Sequence, residues 1–435
     1  MLAIDNMEFK KNVKIQNGYV NSSIYDFNSK NMYIINSYDC KLLVSGKVEQ
    51  VNEKLLGKLL GLGILTDDES AIEDNPTSFE YQLFDDHDTH QVCKTVYFEV
   101  TNKCNFDCVH CYADMKRNGD KYLDINTFNR YLEQLGDDLH YDIRLTGGEP
   151  FLNPYIDELI DMVADKVTPY VRHSIVTNGS FDIKSAIHAL EKGFEIQVSI
   201  YGMKESTFEV FARTDKIMMK KVFDNLEQLS NTEYCNQIVL LLSINSYTYE
   251  EIDEFVKYAE GLGFKPMLNR PASIGRAVQN WELLRLSPEQ HLCFNRFNRH
   301  LVKGYNRYCY HACRLTWSYI DIYGGVKPCA FIRDTYNFGN LNNNNLVEIR
   351  NTNAFNEFKN FNASSFEKCN ECEFKYACTG GCCGETLAYT GDMLKSYPWC
   401  KIKPYENHDY LVVNEGELYQ VTKYAGGTFD FDKVC

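Results

Sequence analysis

The sequence predicts an α/β chain built on a parallel sheet, with a small module ahead of it and a cysteine-rich domain behind it. Three observations carry that prediction. Between about residues 91 and 304, six short apolar runs alternate with amphipathic stretches. Nine of the seventeen cysteines crowd into residues 309–400. The first 90 residues carry a pattern of their own that ends in an acidic stretch and Pro76.

Taken in order, "GYVNSSIYDF" and "NMYIINSY" read as two strands, and "VEQVNEKLLGKLLGLGILTDD" places Val51, Leu55, Leu59 and Leu62 at helical spacing. Residues 1–90 are therefore expected to form a small module and linker. The runs that follow are "KTVYFEV", "DIRLTGG", "HSIVTNG", "EIQVSIYG", "IVLLLSI" and "KPMLNRP". Segments such as "INTFNRYLEQLGDDL" and "TYEEIDEFVKYAEGLG" separate them. Six strand–helix units in series imply a parallel sheet, either open and doubly wound or curled into a partial barrel. Ligands of such folds gather at the C-terminal ends of the strands. "CNFDCVHC" follows the first run, and "GGEP", "TNG" and "SIYG" end the next three. All four are expected on one rim. From about 305 the alternation gives way to cysteines separated by Gly and Asn turns, the pattern of a domain stapled by metal, and a tail, 401–435, with strand-like "YLVVNEGELYQVTKY" completes the third part, 305–435.

Composition narrows the function. A net charge of −15 argues against a nucleic-acid partner, which needs a basic face. No apolar run reaches the length of a membrane span, and the start has the character of no signal peptide, so a cytoplasmic location is expected. A reducing cytosol does not maintain a disulfide scaffold, which leaves metal ligation as the economical use of so many thiols.

Cys104, Cys108 and Cys111 lie in a loop just beyond a strand, with no fourth cysteine close behind. An iron–sulfur cube has four irons, so three thiolates leave one open to a small molecule. Zinc ligation is the alternative use of three thiols. In its C-x3-C-x2-C spacing the loop resembles the radical S-adenosylmethionine (SAM) superfamily. The resemblance implies a partial (β/α)6 barrel in which a reduced [4Fe–4S] cluster splits SAM into methionine and a 5′-deoxyadenosyl radical. It also implies that Gly147, Gly148 and Glu149 of "GGEP" meet the SAM amino group. Ser174, Thr177, Asn178 and Ser199 become candidate ribose or carboxylate partners, and Arg213 a candidate fork for the SAM carboxylate. His110 stands where relatives carry an aromatic residue near adenine.

"CNECEFKYACTGGC" with Cys400, and Cys313 and Cys329 upstream, resembles the SPASM auxiliary-cluster domain. The resemblance implies two more [4Fe–4S] clusters, for three in all. Cys369, Cys372, Cys378 and Cys400 would hold the distal one. Cys313, Cys329 and Cys382 would hold the nearer one, with Cys309 either closing it or leaving an open iron for a substrate thiolate. Cys383 adjoins Cys382 and reads as a spare thiol.

The front module resembles the winged-helix-like peptide-recognition element of natural-product maturases, which binds a precursor's leader as an added strand. Together the three parts resemble maturases that install thioether cross-links in ribosomally made peptides. That implies a precursor peptide and a reductant such as flavodoxin or ferredoxin as partners. The alternatives are formylglycine formation of the sulfatase-maturase kind, carbon–carbon or ether cross-linking, epimerisation, and a non-enzymatic iron–sulfur carrier.

Overall fold

The computed structural model describes residues 7–18, 20–79, 95–115, 117–135, 142–166, 172–287, 290, 317–398, 400, 412–425 and 428–434. At the front, β1 (Glu8–Phe9) pairs with β5 (Leu65–Thr66), while β2 (Val13–Asn17), β3 (Asn21–Asp26) and β4 (Asn31–Asn36) form an antiparallel meander. The helix Glu53–Gly61 starts where the Asn52 side chain accepts from the Lys54 and Leu55 amides. Its Leu55, Leu56 and Leu59 close a core with Ile15, Ile24 and Ile35.

The linker is tied along the free side of β2. The Ile15 amide donates to the Pro76 carbonyl at 2.7 Å, and Lys14 reaches Glu73 at 2.7 Å and the Asn75 carbonyl at 2.8 Å. The Lys14 side chain is 4% exposed, so its charge is balanced inside the protein rather than in water.

Among the described residues the main sheet has nine strands. Its parallel members are β6 (Thr95–Thr101), β7 (Asp142–Gly147), β8 (His173–Thr177), β9 (Phe194–Ile200), β10 (Ile238–Ser243) and β11 (Lys265–Asn269). All six expected runs are present and paired in sequence order, which is the open, curled (β/α)6 arrangement. Alternation decides what faces where. Val96, Phe98 and Val100 of β6 are fully buried toward the helices, Phe98 meeting Phe128 edge-on at 5.1 Å. Tyr97, Glu99 and Thr101 therefore face the inside.

β12 (Trp317–Ile320) joins the sheet beside β6 in parallel, with Tyr319 opposite Tyr97. β13 (Gly325–Lys327) and β14 (Gly339–Asn340) continue it. The cysteine-rich domain is thus hydrogen-bonded to the barrel's first strand.

On sequence grounds residues 412–434 belong to a tail that follows the cysteine-rich domain. Their strands β15 (Leu418–Ala425) and β16 (Thr428–Lys433) instead extend the front sheet, in the order β16-β15-β4-β3-β2. Leu418 is fully buried in the front core, and the Val413 amide donates to Asn21 Oδ1 at 2.9 Å. The other face of that sheet packs on the cysteine-rich domain. Tyr25 donates to the Glu373 carbonyl at 2.7 Å, and Phe79 stacks on Tyr376 at 4.3 Å.

Candidate active site

The loop after β6 carries Cys104, Cys108 and Cys111, and the backbone of the next strand fixes its start. The Gly148 amide donates to the Thr101 carbonyl and the Glu149 amide to the Lys103 carbonyl, each at 2.8 Å. No side chain fits at either glycine. A Cβ on Gly148 would stand 2.0 Å from the Lys103 oxygen, and one on Gly147, at φ +141°, 2.2 Å from the Thr101 oxygen.

Glu149 is 1% exposed and turns inward. Thr177 Oγ1 donates to its Oε1 and the Asn178 amide to its Oε2, both at 2.7 Å. Burial outweighs these donors and raises the Glu149 carboxyl to about 7. The Asn178 side chain donates to Asn105 at 2.8 Å and lies 3.9 Å from the Cys104 sulfur. The "CNFDC", "GGEP" and "TNG" motifs therefore touch one another directly.

The remaining candidates spread around this centre. Ser199 lies half-buried on β9, opposite Leu241 of β10. Ser174 sits lower on β8, its hydroxyl buried and without a hydrogen-bond partner among the described residues. Arg213 takes the left-handed conformation after the helix Glu205–Ala212, at φ +47°, and its guanidinium lies 3.9 Å from Asp107. It borders the three-thiol loop rather than the Glu149 centre. His110 packs at 5.6 Å against Tyr201, and burial lowers its pKa to about 4, so the ring is neutral at physiological pH.

The thiols do not converge on a single ion: among the described residues, no group of three His, Cys, Asp or Glu side chains is placed to hold one metal. Burial pushes Cys104 up to about 12, with Glu149 and Cys111 adding to it, and raises Cys108 as well, with Cys111 and Cys104 adding to it. Thiols so enclosed ionise when a metal supplies the opposing charge. The distal set repeats the pattern: burial raises Cys369 to about 12, with Cys378 and Cys400 adding to it, and Cys372 lies in the field of both Cys378 and Cys369. Of the nearer set, Cys329 acts on Tyr97 inside the barrel and Cys382 on Arg270 at the end of β11. Cys309 and Cys313 lie outside the described residues. Cys383 is buried in the main core at 2% exposure.

Three residues at the loop were not singled out in the sequence. Tyr201, in the quoted "SIYG", is buried with its hydroxyl on Cys108. Tyr112, directly after Cys111, bonds Thr146. Arg276 pairs with Asp107 and Asp114, bonds the Met115 carbonyl at 2.6 Å and lies on Cys111. The glycine before it, Gly275 at φ +60°, packs where a Cβ would come 2.5 Å from the Cys111 oxygen.

Comparison with known proteins agrees with this geometry. Residues 98–269 match the model of the radical SAM superfamily, and residues 309–373 match SPASM, an iron–sulfur cluster-binding domain. Among curated relatives, the antilisterial bacteriocin subtilosin biosynthesis protein AlbA of Bacillus subtilis is 24% identical over 303 residues, covering 66% of each chain. The PqqA peptide cyclase of Gluconobacter oxydans is 26% identical over 338 residues, covering 72% of this chain and 90% of that one. Among solved structures, Streptococcus suis SuiB bound to S-adenosylmethionine superposes with a TM-score of 0.55 at 14% identity, covering 89% of this chain and 98% of that one. That likeness establishes the shared fold. Among the described residues, no helix is long and apolar enough to cross a membrane.

Proposed function

From a chain that carries a radical SAM domain followed by a SPASM iron–sulfur domain, we propose a peptide maturase that joins a cysteine sulfur to carbon in a ribosomally made precursor. It is an enzyme, and its cofactors are SAM and iron–sulfur clusters, which when bound supply the 5′-deoxyadenosyl radical that removes a substrate hydrogen. The observation that carries the reading is the direct contact of "CNFDC", "GGEP" and "TNG" on one rim, with the cysteine-rich domain hydrogen-bonded beside it.

Cys104, Cys108 and Cys111 hold the cluster that meets SAM. Gly147, Gly148 and Glu149 line the approach to its amino group, with Ser174, Thr177, Asn178, Ser199, Arg213 and His110 as further SAM contacts. Cys369, Cys372, Cys378 and Cys400 hold the distal auxiliary cluster. Cys313, Cys329 and Cys382, with or without Cys309, hold the nearer one. Similarity to a peptide cyclase and to a bacteriocin biosynthesis protein supports a peptide substrate. The thioether is the finer step: Cys329, a soft cluster ligand on this reading, lies near enough to act on Tyr97 of β6, and soft ligands suit a thiol substrate. The leader is taken by the front module, and a flavodoxin or ferredoxin supplies the electron that starts each turnover.

The test is anaerobic reconstitution with iron, sulfide, SAM and reductant. Wild type yields 5′-deoxyadenosine, and Cys104→Ala yields none. With the peptide encoded by a neighbouring short reading frame, a thioether keeps the sulfur, loses two hydrogens per link and blocks thiol alkylation. Conversion of cysteine to formylglycine would remove the sulfur instead. Undiminished 5′-deoxyadenosine from Cys104→Ala would overturn the site assignment.

A further inference from the structure

A cleft of about 580 Å³ opens between the three-thiol loop and the cysteine-rich domain. Asp114 and Met115 wall it on the loop side, Asp321 and Tyr323 on the domain side, and Glu99 and Arg333 line its depth. Glu99 is the oddity. An acid at 4% exposure in a β-strand core needs partners, and it has them on one oxygen only. Tyr319 donates to Oε2 at 2.6 Å, and Arg333 Nη1 stands 3.5 Å from the same atom. Arg333 is itself held by the Ala113 carbonyl, two residues past Cys111. Among the described residues no group bonds Oε1, and Glu99 lines the cleft. Glu99 is two residues from Tyr97 on the inner face of β6, and Tyr97 feels Cys329.

We propose that Glu99 is the proton acceptor of the reaction and that the cleft holds the stretch of peptide being modified. The proposal rests on the peptide reading above. Its chemistry is balanced as follows. When a heteroatom carrying a hydrogen closes a bond to a carbon that has lost a hydrogen atom, one proton and one electron are released. Glu99 Oε1 takes the proton, and the electron would go to an oxidised iron–sulfur cluster held by the cysteine-rich domain. The other acids of the cleft suit this role poorly: the Asp114, Asp120 and Asp334 side chains are 55%, 77% and 93% exposed and solvated, and Asp321 is engaged by the Tyr323 and Gly325 amides and by Lys327. Burial raises the Glu99 carboxyl above the ordinary range, while the Tyr319 hydroxyl and Arg333 pull it back. A base shifted toward neutrality accepts a proton with more driving force at physiological pH. Asp321, Asp334 and Tyr112 are the other titratable groups that act on it.

The experiment uses the full chain loaded with clusters and a synthetic peptide copied from the adjoining short reading frame. Glu99→Gln is expected to slow single-turnover product formation about 10²–10⁴-fold. Peptide affinity, read by fluorescence anisotropy, should change less than about threefold, and Glu99→Asp should restore part of the rate. Tyr319→Phe removes a donor to the carboxylate, which raises the Glu99 pKa and moves the acid limb of the rate profile to higher pH. Should Glu99→Gln fail to fold, the Tyr319→Phe profile decides alone. Near-wild-type product formation by Glu99→Gln, or an unmoved acid limb in Tyr319→Phe, overturns the assignment of Glu99. Failure of the wild type to modify any peptide defeats the peptide reading, and this inference with it.

Discussion

Replacing Gly148 by alanine adds one methyl group against backbone that has no room to receive it. The new Cβ would lie 2.0 Å from the Lys103 carbonyl oxygen, 2.4 Å from its carbon and 2.9 Å from the Cys104 nitrogen. Reaching an ordinary contact requires the two segments to part by roughly 1 Å, and the atoms that must yield are main chain rather than a flexible side-chain end. Overpacking of this kind costs about 1–3 kcal/mol. The larger effect is on placement: the displaced carbonyl belongs to the residue before Cys104, and a misplacement of about 1 Å can cost on the order of 100-fold in rate. Gly148→Ala should therefore lower 5′-deoxyadenosine formation by about that factor and reduce the iron bound at the three-thiol loop. Melting of the metal-free protein should drop by only a few degrees. Gly57→Ala is the control, because nothing lies within 4 Å of a Cβ there, and it should leave turnover unaltered. Wild-type turnover in Gly148→Ala would show that this backbone contact does not position the cluster loop.

Other expectations follow from the same contacts. The Glu149 carboxyl rises to about 7 on folding, so the folded protein binds an extra proton between the ordinary carboxylate range and pH 7. Melting temperature of the metal-free protein should therefore fall as pH rises through that window, by the equivalent of at most about 3 kcal/mol, and Glu149→Gln should flatten the slope. Lys14→Met removes the charge that faces half-buried Glu73 and should cost about 1.5–3 kcal/mol, seen as early proteolysis of the 73–78 linker; adding Glu73→Leu should recover part of it. Cys382→Ser should lower total bound iron, whereas Cys383→Ser should lower only stability, because that thiol lies in the main core.

The barrel was legible because its signals are local. Each apolar run meets its neighbours in sequence order, and each rim motif directly follows its own strand. The three-thiol loop was legible for the same reason. Arg276 was hidden, since only the folded chain brings residue 276 to residue 111, and the sole local hint was the glycine before it. Tyr112 and Tyr201 read as ordinary aromatic core until their hydroxyls are placed. Glu99 left a fainter trace, an acid inside the apolar run "VYFEV", which alternation turns to the inner face. The partner of the last hairpin had no local signal at all: Leu418, Tyr419 and Gln420 pair with Ile35, Ile34 and Tyr33, nearly the whole chain away.

That pairing bears on how the front module can be handled in isolation. A fragment cut after residue 79 would present a bare β4 edge and lack Leu418 from its core, an invitation to self-association or to promiscuous capture of any extended peptide. Affinities measured on such an excerpt would describe a wound rather than a receptor. In the intact chain the Ile15 amide on the β2 side is met by Pro76 and β4 is paired with β15, so on the proposed reading a leader strand would add along β16 or displace one of those two.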